Sequence, residues 1–258
     1  MSLASEPGIL ELDRACYSYD RKRPFIHDLS FSIGAGEFIG LLGANGSGKS
    51  TIMKLASGIL RPSSGSILLW GKTLADVSNR DRAKLISYLP QTLDISVPFA
   101  VRELVSMGLY PYDIPPAMTV REALDMVGLT EKADSRLTDL SGGERRRTFI
   151  AMTLLQGAGL ILLDEPLANL DIKYQIELIR LLKELRAVKN ISVVMALHDI
   201  NIALQFEKVI LIKDGTIIGS GRPDEILSRS MLNQAFDVDI EVKRSGSSGI
   251  YISFENNF

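Results

Sequence analysis

Residues 43–50 read Gly-Ala-Asn-Gly-Ser-Gly-Lys-Ser, and Thr51 follows. This is the spacing of a loop that holds phosphate. Glycines at 43, 46 and 48 let backbone N–H groups converge on an anion with no side chain in the way. Ala44, Asn45 and Ser47 fill the positions between them. The helix expected to start near Gly48 adds its positive dipole end. Lys49 would bridge the β- and γ-phosphates of a nucleotide, and the Ser50 hydroxyl would bind Mg2+. The competing reading is a glycine-rich turn between a strand and a helix. The context favours phosphate, because an apolar run at 38–42 precedes the loop and an amphipathic pattern at 49–57 follows it.

A second stretch, 160–166, is Leu-Ile-Leu-Leu-Asp-Glu-Pro. An apolar strand ending in two carboxylates can aim Asp164 at the oxygen-loving shell of Mg2+. Glu165 then becomes the candidate to orient and deprotonate an attacking water. Alone, an Asp-Glu pair after a strand is weak, since acidic residues commonly begin loops; beside a phosphate loop it gains force. His27 and His198 are the only histidines. His27 reads as structural. His198 follows the apolar run 192–197, and parallel strands deliver their C-terminal ends to one crevice, so it reads as a γ-phosphate sensor.

A third stretch, Leu140-Ser141-Gly142-Gly143-Glu144, precedes a helical pattern. Ser141 and Glu144 have capping-box spacing. Two glycines in a first helical turn nonetheless cost about 1 kcal/mol each relative to alanine. Bare backbone at a helix N-terminus is what a phosphate needs, so a second anion site is expected here.

The elements that must position these groups follow from the apolar pattern. Strands are expected at 9–12, 38–42, 66–70, 86–89, 160–164, 192–197, 209–212, 216–219 and 250–254. The runs at 38–42, 160–163 and 192–197 are apolar almost throughout, as in a parallel sheet covered on both faces. Residues 172–189 repeat isoleucine and leucine at helical spacing. Between 91 and 157 come prolines and helical patterns (101–109, 119–128, 141–157) without a convincing strand. The expected fold is therefore α/β. Its division is an ATP-binding core of 1–90 and 158–258 with a helical insertion at 91–157. The tail after Gly221 reads as a helix at 223–228, a second helix, and two strands around a Gly/Ser-rich turn at 245–249.

Composition bounds the rest. The 258 residues are 46% hydrophobic, and 29 basic against 31 acidic side chains leave a net charge of −2. That balance argues against a dedicated nucleic-acid binder. The arginine-rich triplets 21–23 and 145–147 read as solvated faces or neighbours of an anion. Cys16 is the only cysteine, which rules out an internal disulfide. The apolar stretch 149–163 is interrupted by Thr153, Gln156, Gly157 and Gly159. It is also shorter than the ~20 residues a membrane span needs. The first residues lack a basic segment followed by an apolar run, so no signal peptide is expected. A cytoplasmic chain is expected.

The order 43–50, Gln91, 140–144, Asp164-Glu165, Leu170-Asp171, His198 resembles the ATP-binding cassette (ABC) family over essentially the whole chain. The Leu-Ser-Gly-Gly-Glu motif separates that family from other phosphate-loop ATPases. The resemblance implies a phosphate-loop NTPase core with a mainly parallel sheet, an N-terminal antiparallel β subdomain and an inserted helical subdomain. It implies a homodimer, with each ATP held between one copy's phosphate loop and the other's Ser141–Glu144 turn. It implies that Gln91 contacts Mg2+ and water and links to a membrane partner. It implies that Tyr19 stacks on adenine, with Tyr17 close enough to leave the assignment open, and that Asp171 communicates across the dimer. Leu167 and Ala168 depart from the family's frequent Thr or Ser.

Finer motifs are similar to importer subunits for iron–siderophore, haem and cobalamin. These are Tyr88-Leu-Pro-Gln91, the stretch from Val101 through Tyr112, and Leu197-His-Asp-Ile-Asn-Ile-Ala-Leu204. Asp237 replaces a usual glycine, and Tyr174 stands where histidine is common. By this resemblance, integral membrane permease subunits would dock in a groove near 96–112. A substrate-binding protein would take part indirectly, and the chain would be peripheral on the inner face of the membrane. A zinc or manganese importer is the alternative. A soluble cassette acting on nucleic acid or ribosomes, and a regulatory module with negligible turnover, are more distant ones.

Overall fold

The computed structural model describes residues 8–20, 23–93, 98–245 and 249–254. Expectations touching 1–7, Arg21, Lys22, 94–97 (within the groove near 96–112) and 246–248 (the Gly/Ser-rich turn) fall outside them. The chain divides into two compact units, Met1–Ala75 with Val194–Phe258, and Asp76–Val193.

The first unit opens with β1 (Leu10–Tyr17), β2 (Ile26–Ile33), β3 (Phe38–Leu42), α1 (Lys49–Ala56), β4 (Ser64–Leu69) and β5 (Lys72–Thr73). Strands β2, β1, β4 and β5 form an antiparallel sheet in that order. In β1, Leu10, Leu12 and Ala15 are buried while Asp13 and Arg14 are exposed. The step from 12 to 15 breaks strict alternation, and the pairing register shifts at the same place, the mark of a bulge. All five residues of β3 are buried, as its unbroken apolar run requires.

The second unit carries α2 (Asn79–Leu85), β6 (Ile86–Leu89), α3 (Val101–Ser106), α4 (Val120–Met126), α5 (Gly142–Leu155), β7 (Leu160–Asp164) and α6 (Ile172–Lys189). Strands β6 and β7 run parallel, from Ile86 opposite Leu160 to Leu89 opposite Leu163. Helix α4 starts in a capping box, with Thr119 Oγ1 accepting from the Glu122 backbone N–H and the Glu122 carboxylate accepting from that of Thr119. The expected helix 101–109 tightens into a 3₁₀ turn at Met107–Leu109. There a Cβ on Gly108 would come within 2.5 Å of the Met152 carbonyl, so this turn and α5 meet backbone to backbone. Helix α2 was not anticipated. It is short and polar and buries none of its residues.

Strand β8 (Ser192–Leu197) contains the division between the units, which falls after Val193. The first unit then continues through α7 (Ile200–Ala203), β9 (Lys208–Lys213), β10 (Thr216–Gly221), α8 (Pro223–Ile226), α9 (Arg229–Phe236), β11 (Ile240–Ser245) and β12 (Gly249–Phe254). Strands β3 and β9 are parallel, β9 and β10 antiparallel. Asp214 and Gly215, both at positive φ, make the tight turn between β9 and β10. Strands β11 and β12 pair as an antiparallel hairpin. The chain is thus a mixed α/β protein with an antiparallel β portion. Among the described residues no helix is long and apolar enough to cross a membrane.

Candidate active site

In the first unit, β3 delivers the chain into the 43–50 loop, and α1 takes over at Lys49. Gly43 is present because nothing larger fits. A Cβ there would collide with the Ile212 carbonyl of β9 and come within 2.7 Å of Ser47 Oγ. The loop is pinned from the far side by the Gly215 N–H, which donates to the Ser47 carbonyl at 2.9 Å. Lys49 is buried, and its Nζ donates to the carbonyls of Gly43 (2.8 Å) and Ala44 (3.0 Å). The side chain therefore curls back over its own loop, where a phosphate would be met. Ser47 Oγ is buried and lacks a hydrogen-bond partner. A buried hydroxyl of this kind calls for an acceptor, and phosphate oxygens supply one. Asn45 and Gly46 are exposed at the loop's lip.

Tyr19 is 63% exposed, the greater part of its ring in the open. Its hydroxyl is 2.8 Å from Thr51 Oγ1 on α1, and its ring meets Tyr17 and Phe25 edge-on. Tyr17 is half-buried behind it. Tyr19 is thus the tyrosine that presents a free face beside the phosphate loop. His198 follows the last residue of β8 and is exposed. Asp199 caps α7 by accepting from the backbone N–H groups of Asn201 and Ile202.

In the second unit, β7 ends on Asp164, 1% exposed, and the chain turns at Glu165 with φ of +49°. That left-handed conformation is uncommon for a residue with a side chain. It swings the Glu165 carboxylate to where Gln91 Nε2 donates to its Oε2 at 2.9 Å. Tyr88, on β6, directs its hydroxyl to Asp164 Oδ2 at 3.4 Å. The structure therefore brings Gln91, Asp164 and Glu165 together. Each unit offers an oxygen donor of the kind a hard cation such as Mg2+ takes, Ser50 in the first and Asp164 in the second. The described residues hold no cluster of three or more His, Cys, Asp or Glu arranged for a metal. Mg2+ held by one carboxylate, a hydroxyl, phosphates and water needs no such cage.

Helix α5 starts in the capping box its sequence announces: Ser141 Oγ accepts from the Glu144 N–H, and Glu144 Oε2 accepts from the Ser141 N–H at 2.9 Å. The Ser141 amide holds the Glu144 carboxyl below its usual range. A Cβ on Gly143 would press within 3.3 Å of the Asn169 carbonyl, so this glycine seats α5 against the loop leading to Asp171. A Cβ on Gly142 would meet nothing within 4 Å. No internal packing explains that glycine, and bare backbone facing outward remains its rationale. Asp171 is exposed at the start of α6 without capping it through its side chain.

The reading of 145–147 as a solvated face or anion neighbour needs correction. Arg145 is exposed, but Arg146 and Arg147 are buried. Arg146 donates to the carbonyls of Pro90 (3.0 Å) and Gln91 (2.9 Å) through Nη1, of Asp164 (2.8 Å) and Glu165 (2.7 Å) through Nη2, and of Pro166 (3.3 Å) through Nε. Burial pushes its pKa down, with Asp164, Glu165 and Tyr88 opposing. Arg147 donates to the carbonyls of Val127 and Gly128 and covers the Tyr174 ring at 3.8 Å, a cation–π contact. A triplet of arginines gives no sign of this. In the structure every residue from 146 to 151 is buried, so the two arginines lie within a run that solvent does not reach.

Residues 26–168 match the family model described as ABC transporter. The chain is 38% identical to the iron(3+)-hydroxamate import ATP-binding protein FhuC of Bacillus subtilis, over 85% of each chain. It is 34% identical to the hemin import ATP-binding protein HmuV of Rhodopseudomonas palustris, over 94% of this chain and 93% of that one. Among solved structures it matches the ATP-binding cassette MJ0796, a dimer in a post-hydrolysis state bound to ADP and Pi. That match has a TM-score of 0.75 and 26% identity over 83% of this chain and 98% of that one. With its phosphate loop, carboxylate turn and Ser-Gly-Gly helix start in the family's order, the chain belongs to the ABC transporter family as an ATP-binding, ATP-hydrolysing subunit.

Proposed function

We propose that the chain energises an importer for a metal chelate of the iron–siderophore, haem or cobalamin class. It does so as a homodimer docked on the inner face of the membrane against integral permease subunits, with a substrate-binding protein engaged indirectly. The observation that carries this is the Gln91–Glu165 hydrogen bond. Gln91 leads into the segment that continues through Tyr110 and Ile114, which are 75% and 86% exposed. Apolar side chains in the open fit a surface that docks a partner. The names of the relatives support the chelate class.

In this reading 91–157 is the helical subdomain and the remainder the ATP-binding core. Lys49 and the loop amides from Gly43 to Thr51 grip the triphosphate, and Tyr19 lies against the adenine. Ser50, Asp164 and Gln91 would hold Mg2+, which would supply charge neutralisation at the phosphate oxygens. Glu165 holds the attacking water and accepts its proton as the new P–O bond forms and the bond to the leaving phosphate oxygen breaks. Gln91 orients that carboxylate, and His198 reports the γ-phosphate. The Gly142 and Gly143 N–H groups, with the Ser141 hydroxyl, grip the triphosphate bound by the other copy while the Ser141–Glu144 capping box holds that turn in shape, and Asp171 relays its state.

The test is ATP hydrolysis by the chain co-purified with its membrane subunits, with iron–siderophore, haem, cobalamin, Zn2+ or Mn2+ added in turn. Stimulation by a chelate is expected. Stimulation by bare Zn2+ or Mn2+ alone would move the chain to the metal-ion branch. Absence of hydrolysis under every condition would overturn the reading.

A further inference from the structure

We propose that Arg146 is the positioning residue that sets the catalytic geometry of Glu165 and Gln91, acting as a rivet between helix α5 and the two turns that carry them. The inference deepens the reading above and rests on its assignment of Glu165 as the base.

A guanidinium offers five N–H donors in a planar fork. Arg146 spends all five on backbone carbonyls of two turns that are distant in sequence, 90–91 and 164–166. No side-chain acceptor competes in that set. The fork therefore fixes where the main chain runs, and with it where the carboxylate of Glu165 and the amide of Gln91 point. One of the five carbonyls is that of Glu165, whose backbone is left-handed at φ +49°. A strained conformation of this kind persists only where its surroundings over-determine it. The Arg146 fork meets this residue's carbonyl at 2.7 Å, closer than the Ala168 N–H that shares it at 3.3 Å. A buried cation is costly to maintain and adds little stability over an apolar side chain of the same size. Its presence here is explained by what it holds.

Its placement adds a consequence. Arg146 lies on the second turn of α5, and the first turn of that helix is the Ser141-Gly-Gly start. The base and the proposed second phosphate-gripping turn of one copy are thus mounted on the same helix. A lysine could keep the charge but not the fork, because its ammonium is a compact point donor.

The experiment compares wild type, Arg146→Lys, Arg146→Gln and Glu165→Gln for kcat, KM and the Kd of an ATP analogue, with thermal unfolding to verify folding. The expected result for Arg146→Lys is a kcat lower by about tenfold or more, with nucleotide Kd within about twofold of wild type, since the phosphate loop is untouched. Combined with Glu165→Gln, Arg146→Lys should lower residual turnover no further, because both act through one carboxylate. A folded Arg146→Lys with wild-type kcat overturns the proposal. So do losses that fall equally on kcat and Kd, or that multiply with those of Glu165→Gln, since these mark a general structural role. If neither Arg146 variant folds, side-chain NMR of the wild-type protein decides. Resolved, slowly exchanging Nη–H signals for Arg146 are expected, and a single averaged signal overturns the proposal. Glu165→Gln hydrolysing at the wild-type rate would instead remove the base assignment itself.

Discussion

Replacing Gly43 with alanine adds one methyl group to the phosphate loop, and the structure says where it goes. It would strike the Ile212 carbonyl on β9 and come to 2.7 Å from Ser47 Oγ. Gly43 is absent from the positive-φ positions, so the backbone itself tolerates alanine and the whole effect is steric. Ser47 can rotate away, but Ile212 cannot. It is fully buried in a strand paired on one side with β3 and on the other with β10. The loop must therefore yield. Overpacking of this kind costs about 1–3 kcal/mol, or a fall of roughly 2–12 °C in Tm for a chain of this size. The same displacement moves the carbonyls that Lys49 holds, so ATP affinity should fall with Tm. Gly46→Ala is the matched control. There φ is +80° but a Cβ meets nothing within 4 Å. That substitution carries only left-handed strain, about 1–2 kcal/mol. Scanning calorimetry and titration with a non-hydrolysable ATP analogue measure both. Gly43→Ala with unchanged Tm and affinity would refute the steric argument.

Other outcomes follow from the same geometry. Tyr19→Ala should weaken ATP binding by about 1–3 kcal/mol, the usual loss for a stacked base. Tyr19→Phe should change it little, and equal losses in both would point to the Thr51 contact instead; equilibrium titration separates them. Glu122 and Glu144 are both held below the ordinary glutamate range, each chiefly by the backbone amide of its N-cap residue, Thr119 and Ser141. A depressed folded pKa stabilises above that range, and the contribution is lost as pH falls through the folded value. Stability should therefore be flat near neutrality and decline on the acid side, as thermal melts from neutral to acid pH would register. Ser141→Ala should cost roughly 0.5–2 kcal/mol at neutral pH and flatten part of that decline.

Strands β3, β7 and β8 were legible to the residue because each is an unbroken apolar run buried at every position. The cap of α5 was written in Ser141/Glu144. Strand β2 escaped because exposed His27 and Asp28 interrupt its apolar pattern, and its pairing with β1 shifts register twice. The short helices α2 and α7 lack the length for a periodic signal. Among candidate site residues, the phosphate loop, the carboxylate pair and the Ser-Gly-Gly start stand out in the sequence because backbone geometry restricts which residues fit such turns. Arg146 could not, because its partners are carbonyls, and every residue has one. Nor does sequence indicate which side of α5 is solvated when its middle is buried all round.

The central claim is that ATP joins two copies and that Glu165 undoes the junction. Its most direct test is the mass of Glu165→Gln at saturating ATP and Mg2+, measured by light scattering beside its rate of phosphate release. The account predicts a species of twice the chain's mass, absent with ADP, and phosphate release lower by about 100-fold or more. A monomer that binds ATP, or hydrolysis at the wild-type rate, would contradict it.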